Sequence, residues 1–97
     1  MTDDQVRAKA DRYYGILGGA GTRPQACDPD VRGPNAAQLA SHSMWMCHQI
    51  PRLMVEEKGG QAREWLRFVE GVLWSAGALS FAEMASDGMT PSILRTQ

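Results

Sequence analysis

The stretch Gln61–Ala76, QAREWLRFVEGVLWSA, decides the fold. Projected at ~100° per residue, it gathers Ala62, Trp65, Leu66, Phe68, Val69, Val72, Leu73 and Ala76 on one broad face. No alternation of period two competes with this pattern, so the stretch reads as an amphipathic helix with that face in the core. Trp74 falls on the other side with Arg63, Arg67 and Glu70.

The segment before it reads the same way. From Asn35, a residue suited to capping a helix, Leu39, Met46, Cys47, Ile50, Leu53 and Met54 share a face as far as about Lys58. Trp45, His48 and Arg52 lie outside that face. Pro51 should kink or break the helix near residue 47, because it offers no N–H and its ring crowds the preceding turn. Gly59-Gly60 reads as a short turn, and two helices joined so briefly pack antiparallel.

Working outward, Thr2 with Gln5 forms a capping-box signature that starts a first helix carrying Val6, Ala10, Tyr13, Tyr14 and Leu17 at helical spacing. Arg7, Lys9, Asp11 and Arg12 fill its other side. Gly18 and Gly19 should end it. Residues 20–34, rich in Gly, Pro and Asp, read as a connector, either a linker or part of a binding surface. Gly77 ends the third helix, Ser80 with Glu83 repeats the capping box before a short helix to Ser86, and Gly88 stops that one. Residues 89–97 read as a polar tail. The expected fold is all-α: one domain over 1–97, with an N-terminal helix (1–19), a loop (20–34) and an antiparallel helical hairpin plus short helix (35–88).

Composition fits that expectation. The 97 residues are 43% hydrophobic and 22% charged, enough for one modest core with a radius of gyration of about 13 Å if compact. Ten basic residues balance eleven acidic ones, so net charge names no partner. The acidic start Met1-Thr2-Asp3-Asp4 is unlike a secretory signal, and no apolar run approaches the ~18 residues of a membrane span. A cytoplasmic protein with two reduced thiols, Cys27 and Cys47, is the expectation.

Catalytic, cofactor and metal sites are not expected. On a regular helix Cys47 lies ~140° from His42 and His48 lies ~120° away on the other side, so the three do not converge. A zinc site that adds Cys27 exists only on paper. Gly15, Gly18, Gly19 and Gly21 lack the strand and the Gly-Lys-Ser/Thr of a phosphate loop. Glu56, Glu57 and Glu64 sit near a hairpin turn, where carboxylates are solvated. No nucleophile has a visible base and orienting partner at motif spacing.

The outward tryptophans carry the functional expectation. Either a terminal helix covers each one, or they anchor a partner, since Trp and Arg together typify interface hot spots. The candidate contacts are Trp74, Arg67, Arg63, Glu70, Trp45 and Arg52, with Tyr13 and Tyr14 as a second group. Nucleic-acid binding is disfavoured by the balanced charge, although Arg7, Lys9, Arg12, Arg23 and Arg32 could serve a small regulator. A structural homo-oligomer built on Trp45 or Trp74 is a third reading.

Met44-Trp45-Met46-Cys47, followed by Glu64 to Trp74 with its W-L-x-F-x-x-G-x-L-W pattern, resembles a group of small helical proteins of tailed phages and prophages. The resemblance covers roughly His42 to Asp87. It implies a mobile-element origin and no established molecular function. For a small phage protein without catalytic residues it suggests a non-enzymatic role: binding a host protein or ribonucleoprotein, such as a CRISPR defence complex, in order to inhibit it. Specificity would then reside in residues 1–35.

Overall fold

The structure, a computed structural model, describes residues 1–85, and these are all-helical: α1 (Asp3–Gly19), α2 (Ala36–Val55), α3 (Gly59–Ser75) and α4 (Phe81–Ala85). The expected stop at Gly88 and the tail lie outside the described residues. Three capping boxes start helices. Thr2 and Gln5 exchange side-chain to backbone bonds at 3.2 and 2.7 Å, Asn35 and Gln38 at 2.8 and 2.9 Å, and Ser80 and Glu83 at 3.1 and 3.1 Å. Each satisfies two backbone N–H groups that the first turn leaves without partners.

The three long helices end in one common way. After α1, the Thr22 N–H donates to the Leu17 carbonyl (3.1 Å) and the Gly21 N–H to that of Gly18 (3.0 Å). Lys58 to Leu53 (2.8 Å) with Glu57 to Met54 (3.2 Å), and Ala78 to Leu73 (2.8 Å) with Gly77 to Trp74 (3.0 Å), repeat the pattern after α2 and α3. These are Schellman closures, which place one residue in the left-handed region. Gly21 (φ 87°) and Gly77 (φ 78°) fill that position in two of them, and Glu57 (φ 60°) in the third.

One boundary therefore differs from expectation. Helix α1 ends at Gly19 as read, with the left-handed position at Gly21. The hairpin turn is residues 56–58, and Gly59-Gly60 already belong to α3. Nor does Pro51 break α2, which runs unbroken from Ala36 to Val55. The proline faces solvent, while Ile50, Leu53 and Met54 around it are locked in the core.

Helix α2 packs against both α1 and α3, which makes it the central element. Val6, Ala10, Tyr13 and Leu17 of α1 meet Met44, Met46, Cys47, Ile50, Leu53 and Met54 of α2, and Ala62, Leu66, Val69 and Leu73 of α3 complete the core. Leu79, between α3 and α4, plugs its end. Phe68 (46% exposed) and Ala76 do not join the core face expected of them. The buried stripe 62–66–69–73 is narrower than the apolar arc, since α3 touches its neighbours on one side only. The 20–34 connector lies back on α2: Gln25 N–H donates to the Ser41 carbonyl (3.1 Å) and Cys27 N–H to His42 Nδ1 (3.0 Å).

Candidate functional site

Helix α4 is held by cations from α1. Lys9 Nζ donates to the Met84 carbonyl at 2.6 Å, and Arg12 reaches the Glu83 carbonyl at 3.5 Å. Both carbonyls belong to the last turn of α4, whose carbonyls find no partner within that helix. Lys9 is thus buried (4% exposed), contrary to its expected surface place. Its position explains this: it follows Val6 by three residues and precedes Tyr13 by four, inside the apolar stripe.

Beneath α4 the Lys9 ammonium also lies 3.6 Å from Glu70 Oε2, and the Tyr13 hydroxyl donates to the same oxygen at 2.6 Å. Burial, reinforced by the Glu70 carboxylate, raises the Tyr13 pKa far above its ordinary 10.0. Tyr13 and Glu70, expected to face outward, are thus engaged inside the fold. A fully buried ring and a carboxylate with its side chain 13% exposed form one internal network, which a ring of this size needs for its hydroxyl.

Above that network the surface is aromatic. Trp74 is 50% exposed and stacks on Phe81 of α4, which is 67% exposed, with ring centroids 4.8 Å apart and planes at 28°. The two alternatives for Trp74 merge: the terminal helix meets one face of the indole and leaves the rest in water. Beside the pair, a shallow hollow of about 400 Å³ is lined by Met1, Lys9, Arg67, Glu70, Phe81, Met84 and Ala85. Arg67 is exposed and has no ion pair among the described residues.

The remaining predicted contacts do not join this patch. Arg63 binds Asp3 (2.8 Å) and the Met1 carbonyl (3.1 Å), tying the start of α1 to α3. Trp45 is half-buried between His42 (5.5 Å) and Trp65 (5.6 Å). Trp65 and Trp74 are nine residues apart, hence on opposite flanks of α3. Arg52 is exposed and pairs with Glu56 at 3.3 Å, and Tyr14 lies against His48 at 6.0 Å. Of the eight residues read as partner contacts, only Trp74 and Arg67 come together in the open. Sequence reasoning missed Phe81 and Met84; the apolar residues that follow the Ser80 cap were the available signal.

The histidines and thiols stay apart. His42 Nδ1 is occupied by the Cys27 N–H, and burial pushes the Cys47 thiol up to about 12 from 9.0. Cys27 Sγ lies 3.7 Å from the Gln38 carbonyl, and both cysteines are free. Among the described residues no three His, Cys, Asp or Glu side chains cluster to hold a metal ion, and no helix is long and apolar enough to cross a membrane. Of the basic residues considered for nucleic acid, Lys9 is internal, Arg12 supports α4 and Arg7 lies 3.7 Å from Asp4. Comparison with protein families, with curated proteins and with solved structures finds no match for this chain.

Proposed function

We propose that the protein is a non-enzymatic binding protein that docks on a larger host protein or ribonucleoprotein through the Trp74–Phe81 pair and Arg67. The observation that carries this reading is the stacked pair itself, two large rings held half or more in water by a helix that the buried Lys9 fastens in place. Stacking fixes both rings before contact, so a partner burying them loses little further side-chain freedom. Arg67 beside them adds a planar donor fork to an apolar anchor, the combination common at interface hot spots. The phage resemblance suggests inhibition of a defence complex such as a CRISPR effector as the biological outcome.

The test is an affinity capture of the tagged protein from a bacterial host lysate, with and without nuclease, repeated with Trp74→Ala and Phe81→Ala. The expected result is a nuclease-resistant protein or ribonucleoprotein that both variants lose while keeping wild-type far-UV circular dichroism. Capture that survives both substitutions sinks the assignment of the face. Capture only of nuclease-sensitive nucleic acid replaces the reading with that of a small regulator.

A further inference from the structure

No residue of the connector, 20–34, is buried, so apolar packing does little to hold it against α2. The ties are polar: Gln25 N–H to the Ser41 carbonyl (3.1 Å), Cys27 N–H to His42 Nδ1 (3.0 Å), and the Cys27 thiol toward the Gln38 carbonyl (3.7 Å). The second of these has an ionisable ring as its acceptor. We propose that His42 is a proton-operated clip: neutral, it holds the connector on α2, and protonated, it lets the connector go.

The switch lies in the imidazole lone pair. A backbone N–H donates to Nδ1 only while that nitrogen carries no proton, which fixes the ring as neutral with its hydrogen on Nε2. Protonation puts a hydrogen on both nitrogens, so Nδ1 turns from acceptor to donor and faces the Cys27 N–H donor to donor. The closed clip therefore binds one proton fewer than the open one. It is complete at high pH and is lost as pH falls through the titration of the ring.

The groups around His42 do not offset that loss. From the connector come Cys27, whose thiol is directed to Gln38, and Asp28, whose carboxylate accepts the Asp30 N–H at 2.9 Å. From α2 comes Trp45, with its ring 5.5 Å from the imidazole, and behind it Trp65 of α3, 5.6 Å further on. An aromatic face attracts a cation, so Trp45 favours the protonated ring and works with release. No ion pair joins His42 to a carboxylate among the described residues. Release opens the hollow of about 340 Å³ that the connector forms with α2 between Cys27, Val31, Gln38 and Ser41. The core of α1, α2 and α3 includes no connector residue and stays intact. Trp65 and Trp74 occupy opposite flanks of α3, so the clip is separate from the proposed docking face.

The test is nuclear magnetic resonance of the nitrogen-15-labelled full chain from about pH 8 to about pH 5, the range in which histidines titrate, with the His42 ring and the Cys27 amide followed together. The Cys27 amide proton should move upfield with the same midpoint as the ring. The heteronuclear NOE of residues 25–28 should fall with it, while the amides of Ile50 and Leu53 in the core keep theirs. His42→Asn sets a side-chain oxygen near the place of Nδ1 and does not titrate, so the NOE should hold its pH 8 value throughout. His48→Asn, on the surface, should leave the wild-type transition in place. A Cys27 amide and a connector NOE that stay constant while His42 titrates overturn the proposal. So does a ring that remains neutral down to about pH 5, or a transition that survives His42→Asn.

Discussion

Replacing Glu70 by alanine should cost about 3–5 kcal/mol of folding stability, a large share of the 5–15 kcal/mol typical of a domain. Two losses compose that figure. The Tyr13 hydroxyl, at 2.6 Å from the carboxylate, loses a charge-assisted hydrogen bond worth about 1.5–3 kcal/mol. The Lys9 ammonium, its side chain 5% exposed, loses the carboxylate 3.6 Å away, so a buried cation gives up a charge partner inside the core. Lys9→Met, which keeps the aliphatic stem and removes the charge, should cost about 1 kcal/mol, chiefly by loosening α4. If the ammonium is what makes the loss of Glu70 severe, Lys9→Met combined with Glu70→Leu recovers most of it, because an apolar pair replaces a buried cation that has lost a charge partner. Urea unfolding followed by far-UV circular dichroism measures all four proteins, with unchanged m-values as the check that compactness is preserved. A Glu70→Ala loss below about 1 kcal/mol, or a double variant as unstable as Glu70→Ala alone, refutes the network as described. The same result decides how Glu70 is used in binding assays, since a variant that unfolds gives no information about a docking face.

Glu57→Gly should raise stability by up to about 1 kcal/mol, because Glu57 holds the left-handed position (φ 60°) that glycine adopts without strain; thermal unfolding reads the gain, and Gly77→Ala should show the opposite sign. Ser43→Ala should stabilise by about 1 kcal/mol or be neutral, since the Ser43 hydroxyl is fully buried without a hydrogen-bond partner among the described residues; a loss above that amount would reveal a bond the geometry does not contain. Alkali should unfold the protein in two overlapping stages. Both Cys47 and Tyr13 have folded-state pKa values raised above their unfolded ones, so their stabilisation is complete below the unfolded pKa and is lost as pH rises. The decline begins near pH 9 for Cys47, which levels off above about 12, and near 10 for Tyr13, at about 1.4 kcal/mol per pH unit for each group. Cys47→Ala should remove the earlier stage, and an unchanged profile between pH 9 and 10 would exclude Cys47 as its source.

What could be read from the sequence was what local chemistry decides. Thr2 with Gln5 and Ser80 with Glu83 marked helix starts because a capping box needs only four consecutive residues, and each forms as read. The periodicity of residues 61–76 gave the buried stripe of α3, since 3.6-residue spacing is a property of the chain itself. Helix ends were less legible. A Schellman closure asks for one left-handed residue, and with Gly18, Gly19 and Gly21 all available, only the bonds from Gly21 and Thr22 show which one serves. After α2 no glycine serves at all: Glu57 takes the left-handed position, and Gly59-Gly60, which read as the turn, lie two and three residues later inside α3.

Lys9 and Phe68 mark where such reading runs out, and they do so in opposite directions. A lysine enters the core because groups from distant parts of the chain, the Glu70 carboxylate and the Met84 carbonyl, meet its ammonium, and neither is visible at the spacing of one helix. A phenylalanine stays outside because α3 has neighbours on one side only, so its apolar arc is wider than the surface available to cover it. Tertiary partners thus decide which members of an amphipathic pattern are buried, while the pattern decides only where the helix lies. The consequence for function is direct. In the α3 sequence, Glu70 and Arg67 look equivalent beside Trp74, but the core has already taken the carboxylate and left the guanidinium. The charge offered next to the Trp74–Phe81 pair is therefore positive, and a partner that buries those rings is expected to bring an acceptor, a carboxylate or a carbonyl, to meet Arg67.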